Sequence, residues 1–268
     1  MDYTIIKYPR TPHIEGSRLQ PGDEDLSQRS FSEIAGRHIV IEEKIDGANT
    51  AVSFDGDGRL LLQSRGHFLT GGWRERHYDL FKQWASAQRD LLWKALGSRY
   101  VMYGEWLYAK HSIYYDALPH YFMEFDILDR EADRFLDTPS RRAITGALPV
   151  CSAAVMAEGT FSRMEDVLKH LGTSCYITPD HIAHLRAAAE REGLDADRVC
   201  RETDHRPLME GLYIKAEENG EVTDRMKYVR ATFLQVVEES QTHWLERPIV
   251  PNGLCRPVED LFLPELTK

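Results

Sequence analysis

The sequence predicts an α+β fold in which hairpin-linked strands form the frame and helices fall in separate stretches. Three observations lead there. Runs rich in β-branched and aromatic residues occupy 37–64, 100–129 and 209–228. Strong turn signals, Asp55-Gly56-Asp57-Gly58 and Glu218-Asn219-Gly220, fall inside the first and third of these runs and divide each into strands. Helical spacing and capping signals are confined to 73–96, 131–205 and 229–244.

Taken in order, Arg37–Glu43 is β-branched and apolar, Ala48–Asp55 alternates, and Arg59–Ser64 follows the Asp-Gly turn. Gly71 and Gly72 close a loop. From Trp73 to Leu96, Tyr78, Phe81, Trp84, Leu91, Leu92 and Ala95 recur at near-helical spacing, and Gly97 is a C-terminal stop. Tyr100–Ala109 and Tyr121–Asp129 are aromatic strands joined by the polar and aromatic loop Lys110–His120. The stretch 131–205 reads as a small, acidic helical insert. Its signals are Thr138-Pro139, a capping box at Ser162-Arg163-Met164-Glu165, and Thr178-Pro179. Met209–Ala216 and Arg225–Tyr228 return to strand character. Val229, Phe233, Val236, Val237 and Trp244 suit one face of a helix, and a proline-punctuated tail starts at Pro248.

Composition narrows the class. The 268 residues are 42% hydrophobic and 28% charged, with 33 Lys+Arg against 43 Asp+Glu for a net charge of −10. This excludes collagen-like, disulfide-scaffold and wholly disordered chains. No apolar run approaches a membrane span, and the N-terminus lacks the apolar stretch of a secretory signal. Cys151, Cys175, Cys200 and Cys255 are far apart and form no C-x-x-C, as expected of reduced cytoplasmic thiols. The acidic balance argues only mildly against a nucleic-acid partner. Residues 44–130 carry 11 cations and 11 carboxylates, so a local basic groove is compatible with the sequence.

The sharpest local feature is Glu43-Lys44-Ile45-Asp46-Gly47-Ala48-Asn49. An amine ends an apolar strand just before a tight turn. A lysine so placed, partly desolvated or beside other cations, can lose its proton and attack an electrophile. Alone, K-x-D-G is a weak pattern, whose bland reading is a solvated lysine before a turn. Further blocks follow it in order: Ser64-Arg65-Gly66, Tyr103-Gly104-Glu105-Trp106, Tyr121-Phe122-Met123-Glu124-Phe125-Asp126-Ile127, Glu210-Gly211-Leu212-Tyr213-Ile214-Lys215 and Arg225-Met226-Lys227.

This ordered set, across roughly residues 40–230, resembles the covalent nucleotidyltransferase superfamily of polynucleotide ligases and mRNA capping enzymes. Within it the chain is most similar to ATP-dependent RNA ligases. Lys44-Ile45-Asp46-Gly47-Ala48-Asn49 and Phe125-Asp126-Ile127 point to the nick-sealing, double-strand-specific branch. The resemblance implies the nucleotidyltransferase fold, two mainly antiparallel sheets with the nucleotide between them, over residues 1–247, with the 131–205 insert at its edge and a tail at 248–268. It also implies the reaction. Lys44 attacks the α-phosphate of ATP, the AMP passes to an RNA 5′-phosphate, and a 3′-hydroxyl displaces it, as in RNA repair.

The resemblance assigns catalysis to Lys44, Glu210, Lys215 and Lys227, with Lys215 and Lys227 as cations for the triphosphate. Glu105 and Glu210 are the expected ligands for Mg²⁺ (or Mn²⁺). Glu43, Asn49, Arg65 and Phe125 join Lys44, Glu105, Lys215 and Lys227 around the nucleotide. Arg65 has the fork geometry for a phosphate or ribose hydroxyl, and Phe125 offers a face for adenine. Asp46, Asp126 and Arg225 are less determined. Asp46 has the alternative of shaping the turn, Phe125 that of core packing, and Arg225 replaces the family's usual first lysine of Lys-x-Lys.

The 41 residues after Lys227 are too few for the OB-fold barrel of DNA ligases and capping enzymes, which favours RNA ligase and leaves substrate grip to the insert, the C-terminal helix or a partner protein. A GTP-dependent capping guanylyltransferase and a non-catalytic nucleic-acid-binding adaptor are the rival readings. His181 and His184 lack the further ligands of a zinc site. His111, His120, Tyr114 and Tyr115, in the loop between two active-site strands, are candidates to touch a nucleic-acid end.

Overall fold

The computed structural model describes residues 4–19, 28–233 and 247–263. Two six-stranded sheets face each other. The first runs, in spatial order, β10 (Val155–Thr160), β3 (His38–Lys44), β11 (Gly211–Glu218), β12 (Glu221–Val229), β1 (His13–Ile14) and β2 (Gln28–Arg29). The second runs β5 (Leu60–Ser64), β4 (Ala48–Phe54), β6 (Tyr100–Trp106), β7 (Phe122–Asp129) and β8 (Arg134–Phe135), with β9 (Cys151–Ser152) beside β7. Pairing is antiparallel except for β1 with β12, β1 with β2, and β7 with β9.

Strand alternation divides the first sheet chemically. Because successive side chains leave a strand on opposite faces, Ile39, Ile41, Leu212, Ile214, Ala216 and Met226 lie together and pack on Ile14, Phe31, Ile34 and Val167. The register pairs Lys215 with Val40, Tyr213 with Glu42, and Gly211 with Lys44. The opposite face therefore carries Glu42, Lys44, Tyr213 and Lys215, with Arg225 and Lys227 across from Lys215 and Tyr213 on β12. One face builds a core; the other is charged.

The second sheet buries its outer face under α1 (Asp79–Ala87) and α2 (Arg89–Leu96), where Phe81, Trp84 and Leu92 meet Val52, Phe54, Met102 and Phe122. Residues 73–96 do not form one helix. A 3₁₀ turn, Trp73–Tyr78, precedes α1, and the chain breaks at Gln88. The Gln88 side chain is buried and donates to the carbonyls of Phe262 (2.9 Å) and Leu263 (3.3 Å). That tertiary bond fixes a break which side-chain periodicity does not signal.

The 131–205 stretch departs from a purely helical insert. It contains α3 (Thr138–Thr145), α4 (Met164–Leu168), α5 (His181–Arg191) and α6 (Ala196–Arg201), but also β8, β9 and β10, the last an edge of the first sheet. β10 is half-exposed and lacks clean alternation, so its sequence carries little strand signal. The caps differ too. Asp137, not Thr138, caps α3 through Ser140 N–H at 3.0 Å, while the Thr138 hydroxyl donates to Glu217 at 2.7 Å. The Ser162 capping box does not form. Thr178 serves Asp116, and its helix begins at His181. In each tested threonine a distant carboxylate competes for the group that local capping would use.

Residues 247–263 lie against the frame. Asn252 is buried, accepts from Tyr115 N–H (3.0 Å) and donates to the Leu107 carbonyl (2.7 Å). The expected helix from Val229 to Trp244 falls mostly outside the described residues; Val229 itself ends β12. No helix among the described residues is long and apolar enough to cross a membrane.

The sheets are joined by a buried ion network. Arg141 of α3 reaches Glu42 of β3 (2.5 Å) and Glu124 of β7 (2.8 Å), and Lys215 of β11 reaches Glu42 (2.7 Å) and Asp126 of β7 (3.1 Å). All five side chains are at most 2% exposed. Arg141→Met fills the volume but leaves Glu42 and Glu124 without their shared cation. It is expected to lower unfolding stability by about 3–5 kcal/mol, measured by urea titration. A loss below about 1 kcal/mol would remove the network from its bridging role.

Candidate active site

Between the sheets opens a cleft of ≈ 1500 Å³ whose walls include Lys44, Asp46, Asn49, Arg65, Glu105, Phe125, Glu210 and Lys227, together with Glu43. Nine of the residues singled out in the sequence thus meet around one space. Lys44 ends β3 and pairs across the strands with Gly211, next to Glu210. Its Nζ donates to Glu210 Oε2 at 2.6 Å, with 21% of the lysine side chain exposed against 2% of the glutamate.

Glycine is required twice for this approach. A Cβ on Gly211 would lie 1.8 Å from the Tyr228 carbonyl oxygen. One on Gly47 would sit 2.6 Å from Leu107 Cδ2 and 2.9 Å from Glu105 Cγ, so the glycine after Asp46 lets the Lys44 turn close onto the strand that carries Glu105. Asn49 pairs directly with Glu105 across β4 and β6.

Asp46 does its work on the fold. Its carboxylate accepts from the N–H groups of Ser112 (2.8 Å) and Ile113 (3.0 Å), and its own N–H donates to the Tyr115 hydroxyl at 2.8 Å. The loop from Lys110 to His120 is thereby locked inward. His111, His120, Tyr114 and Tyr115 are all buried. They offer no surface to a nucleic acid, because the loop is covered by the segment around Asn252 and by Tyr176. Burial holds His120 down at about 3, so its ring is neutral at pH 7. His184 bonds Asp116 at 2.6 Å, and no group of three or more metal-ligating side chains forms among the described residues.

Lys215 differs from its expected place. It is completely buried, and its ammonium is ion-paired with Glu42 and Asp126 and donates to the Phe125 carbonyl. It does not line the cleft. Asp126 is buried beside it and also accepts from Tyr8. Burial raises that carboxyl, but Lys215, Arg225 and Arg141 outweigh burial and hold it below the usual range. Arg225 stacks its guanidinium 3.8 Å from the Phe135 ring centroid and 5.4 Å from Tyr8, outside the cleft lining. Glu43 points to the other face of β3 from Lys44, and its carboxylate accepts from Cys175 N–H (2.8 Å) and Ser174.

The electrostatics are lopsided. Burial pushes the Lys44 amine down, but Glu210, Glu105 and Asp46 overcome it, so Lys44 lies above the ordinary lysine value and stays protonated in the ligand-free chain. Burial pushes Glu105 up to about 8, and Glu210 and Asp46 add to that against the pull of Lys44. Glu210 is raised by burial, opposed by Lys44 and, further down, Lys227. Three carboxylates share this corner, more negative charge than Lys44 alone balances. Mg²⁺ commonly takes one or two protein carboxylates and completes its shell with water and phosphate oxygens, so Glu105 and Glu210 would suffice for a hard divalent cation with Asp46 committed to the loop.

Sequence reasoning missed several wall residues. Tyr8 and Thr11, near the N-terminus, close one side, with Tyr213 bonded to Tyr8 (2.5 Å) and to Thr11 (2.6 Å). Tyr8 meets Phe125 edge-on at 5.1 Å. Glu42 stood beside the Lys44 block, and its acidic place in an apolar strand was a usable signal. Tyr8 and Thr11 had none, as they lie far from every block.

The RNA ligase family model matches residues 37–229, more than half of the chain, and the chain belongs to that family. No curated protein sequence is detectably similar to it. In three dimensions it is similar to Naegleria gruberi RNA ligase. An apo variant of that enzyme superposes with a TM-score of 0.55 at 15% identity, over 89% of this chain and 59% of that one. A variant with ATP and Mn gives 0.52 at 16% identity over 86% and 58%. One with AMP and Mn gives 0.52 at 14% over 88% and 59%. At these identities the likeness is one of fold, and the chain spans under two thirds of the length of those structures.

The raised Glu105 carboxyl carries a sign. Between its ordinary value of 4.5 and about 8 the folded chain keeps a proton that the unfolded chain has released. Its contribution is therefore full below the lower value and is lost as pH rises through the upper one. In chelated, nucleotide-free buffer Glu105→Gln is expected to be more stable than wild type at pH 8, on the order of 2 kcal/mol, with the difference vanishing near pH 4.5. Equal urea midpoints for the two proteins at pH 8 would contradict this.

Proposed function

We propose that this chain is an ATP-dependent RNA ligase with the covalent nucleotidyltransferase fold. It joins a 3′-hydroxyl to a 5′-phosphate through a lysyl-adenylate and an adenylylated 5′ end, in the repair of nicked or broken RNA. The observation that carries this is Lys44, partly exposed at the end of a strand, 2.6 Å from Glu210 and among the carboxylates of one cleft. Membership of the RNA ligase family supports it, as do fold relatives described with ATP, AMP and Mn.

In the first step the Lys44 nitrogen forms a bond to the α-phosphorus, and the bond to the pyrophosphate oxygen breaks. An ammonium has no lone pair, so Lys44 first sheds a proton. Glu210 Oε2, at 2.6 Å, is the adjacent acceptor. Lys227, buried on β12 at the cleft, supplies positive charge toward the phosphates, and Arg65 at the exposed rim is placed for a phosphate or ribose contact. Glu105 and Glu210 would hold a Mg²⁺ or Mn²⁺ ion, which supplies charge neutralisation for phosphoryl transfer. Lys215 acts from behind, fixing Glu42 and the Phe125 backbone, so Phe125 keeps its place on the cleft wall. In the second step the AMP leaves the lysine nitrogen for the 5′-phosphate of RNA. In the third a 3′-hydroxyl displaces AMP, with Asn49 the family's residue for that step.

Incubation with α-labelled ATP and Mg²⁺, followed by denaturing electrophoresis, tests the first step. Wild type is expected to carry label from ATP and not from GTP. Lys44→Ala and Lys44→Arg are expected to carry none, because a guanidinium stays protonated, and Lys227→Ala is expected to label about 10²-fold more slowly. A labelled Lys44→Ala protein would remove the nucleophile. On nicked duplexes, strands offering an RNA 3′-hydroxyl are expected to be sealed in preference to all-DNA substrates, and the reverse order would refute the RNA assignment.

A further inference from the structure

One wall of the cleft ends in a feature that adenylation does not use. Trp73 is 77% exposed, whereas the other exposed large apolar side chains among the described residues, Leu19, Val258 and Leu263, are 36–46% exposed. A tryptophan left that open gives up the burial that usually determines its place. It lines the same cleft as Lys44, and Arg65, His67 and Arg76 line it nearby. The Arg76 guanidinium lies 4.8 Å from the Trp73 ring centroid, so the ring is already used as a stacking surface for a planar cation.

The platform is built. Glu75 is buried, accepts from Gly71 N–H at 2.8 Å and Thr70 N–H at 3.3 Å, and pairs with Lys82 at 2.8 Å. Gly71 and Gly72, at φ of +112° and +117°, turn the chain so that Trp73 starts the 3₁₀ turn at the rim. Charge follows the same pattern. Residues 65–77 contain Arg65, Arg74 and Arg76 against the single acid Glu75, in a chain of net charge −10. Cations thus outnumber acids in this segment of the sequence, although the chain as a whole is acidic.

An exposed aromatic interleaved with arginines at the mouth of a cleft is the arrangement that binds a nucleic-acid strand, the ring taking a base and the guanidinium groups the phosphates. We propose that Trp73 is a stacking platform for one base of the RNA being joined, with Arg76 and Arg65 as its phosphate contacts. This rests on the RNA ligase reading and adds the surface that holds the strand beside Lys44.

The test is binding of a fluorescently labelled nicked RNA duplex to the full chain by anisotropy, with wild type, Trp73→Ala and Trp73→Phe. Each protein is measured on intact RNA and on a series in which single nucleotides flanking the nick are made abasic. Trp73→Ala is expected to bind intact RNA roughly 5- to 150-fold more weakly, the range of one stacked base, and Trp73→Phe to recover most of that. At one abasic position wild type is expected to lose a similar factor and Trp73→Ala nothing further, which a merely structural role would not produce. Trp73→Ala binding as tightly as wild type, or losing the same additional factor at every abasic position, overturns the platform while leaving the ligase reading intact. A wild-type chain that binds no RNA overturns both.

Discussion

The arrangement of the cleft depends on one buried contact set, the two cations and three carboxylates that join the sheets. Arg141 and Lys215 both reach Glu42, and from there separate to Glu124 and Asp126 on β7. Such a network is not a strong source of net stability, because desolvation of the ions cancels much of their attraction. Its consequence is geometric. Glu42 is two residues from Lys44 on the same face of β3, and Asp126 adjoins Phe125 on β7, so the ion pairs set the two walls against each other. A charge left unpaired there is costly, which makes other registers of the two sheets poor competitors.

This also accounts for the division of labour among the cations. The charged face of the first sheet presents Lys44, Lys215, Arg225 and Lys227 at neighbouring positions. Two are committed to the frame, Lys215 in the ion network and Arg225 on the Phe135 and Tyr8 rings. Lys44 and Lys227 line the cleft. The four cations share one face of the sheet, and the partners each one meets decide its role.

Much of this was legible in the sequence. The strands around Lys44, the Asp55–Gly58 and Asn219-Gly220 turns, and β6, β7, β11 and β12 follow from β-branched content and turn chemistry. The candidate site was legible as ordered blocks, and most of them meet at the cleft because each block ends or borders a strand. What could not be read was set by distant partners. Lys215 and Lys227 are both buried lysines on strands; only the placement of Glu42 and Asp126 across the sheets takes one of them out of the cleft lining. The inward Lys110–His120 loop depends on Asp46 and Asn252, dozens of residues away, and its aromatics therefore resembled a nucleic-acid surface. Trp73 opened the expected helical stretch, but its turn at Gly71-Gly72 carries it to the exposed rim.

The raised Lys44 amine and the raised Glu105 carboxyl are two signs of one charge imbalance. Three carboxylates around one ammonium suit neither the protonated lysine's chemistry nor their own ionisation. Lys44 is held charged by its neighbours, and Glu105 is held neutral chiefly by burial, with Glu210 and Asp46 adding to it. A cation arriving with phosphate ligands relieves both at once. Held by Glu105 and Glu210, such a cation would draw the carboxylates' field away from Lys44, so that the amine could give up its proton, and would favour ionised Glu105. The charge that keeps the Lys44 amine protonated is thus the same charge that would suit a metal–triphosphate. A lysine with a strongly depressed value in the empty cleft would be a nucleophile exposed to any electrophile. On the proposed reading the carboxylates would couple activation of Lys44 to the arrival of the cation, with the ion network behind them holding the geometry.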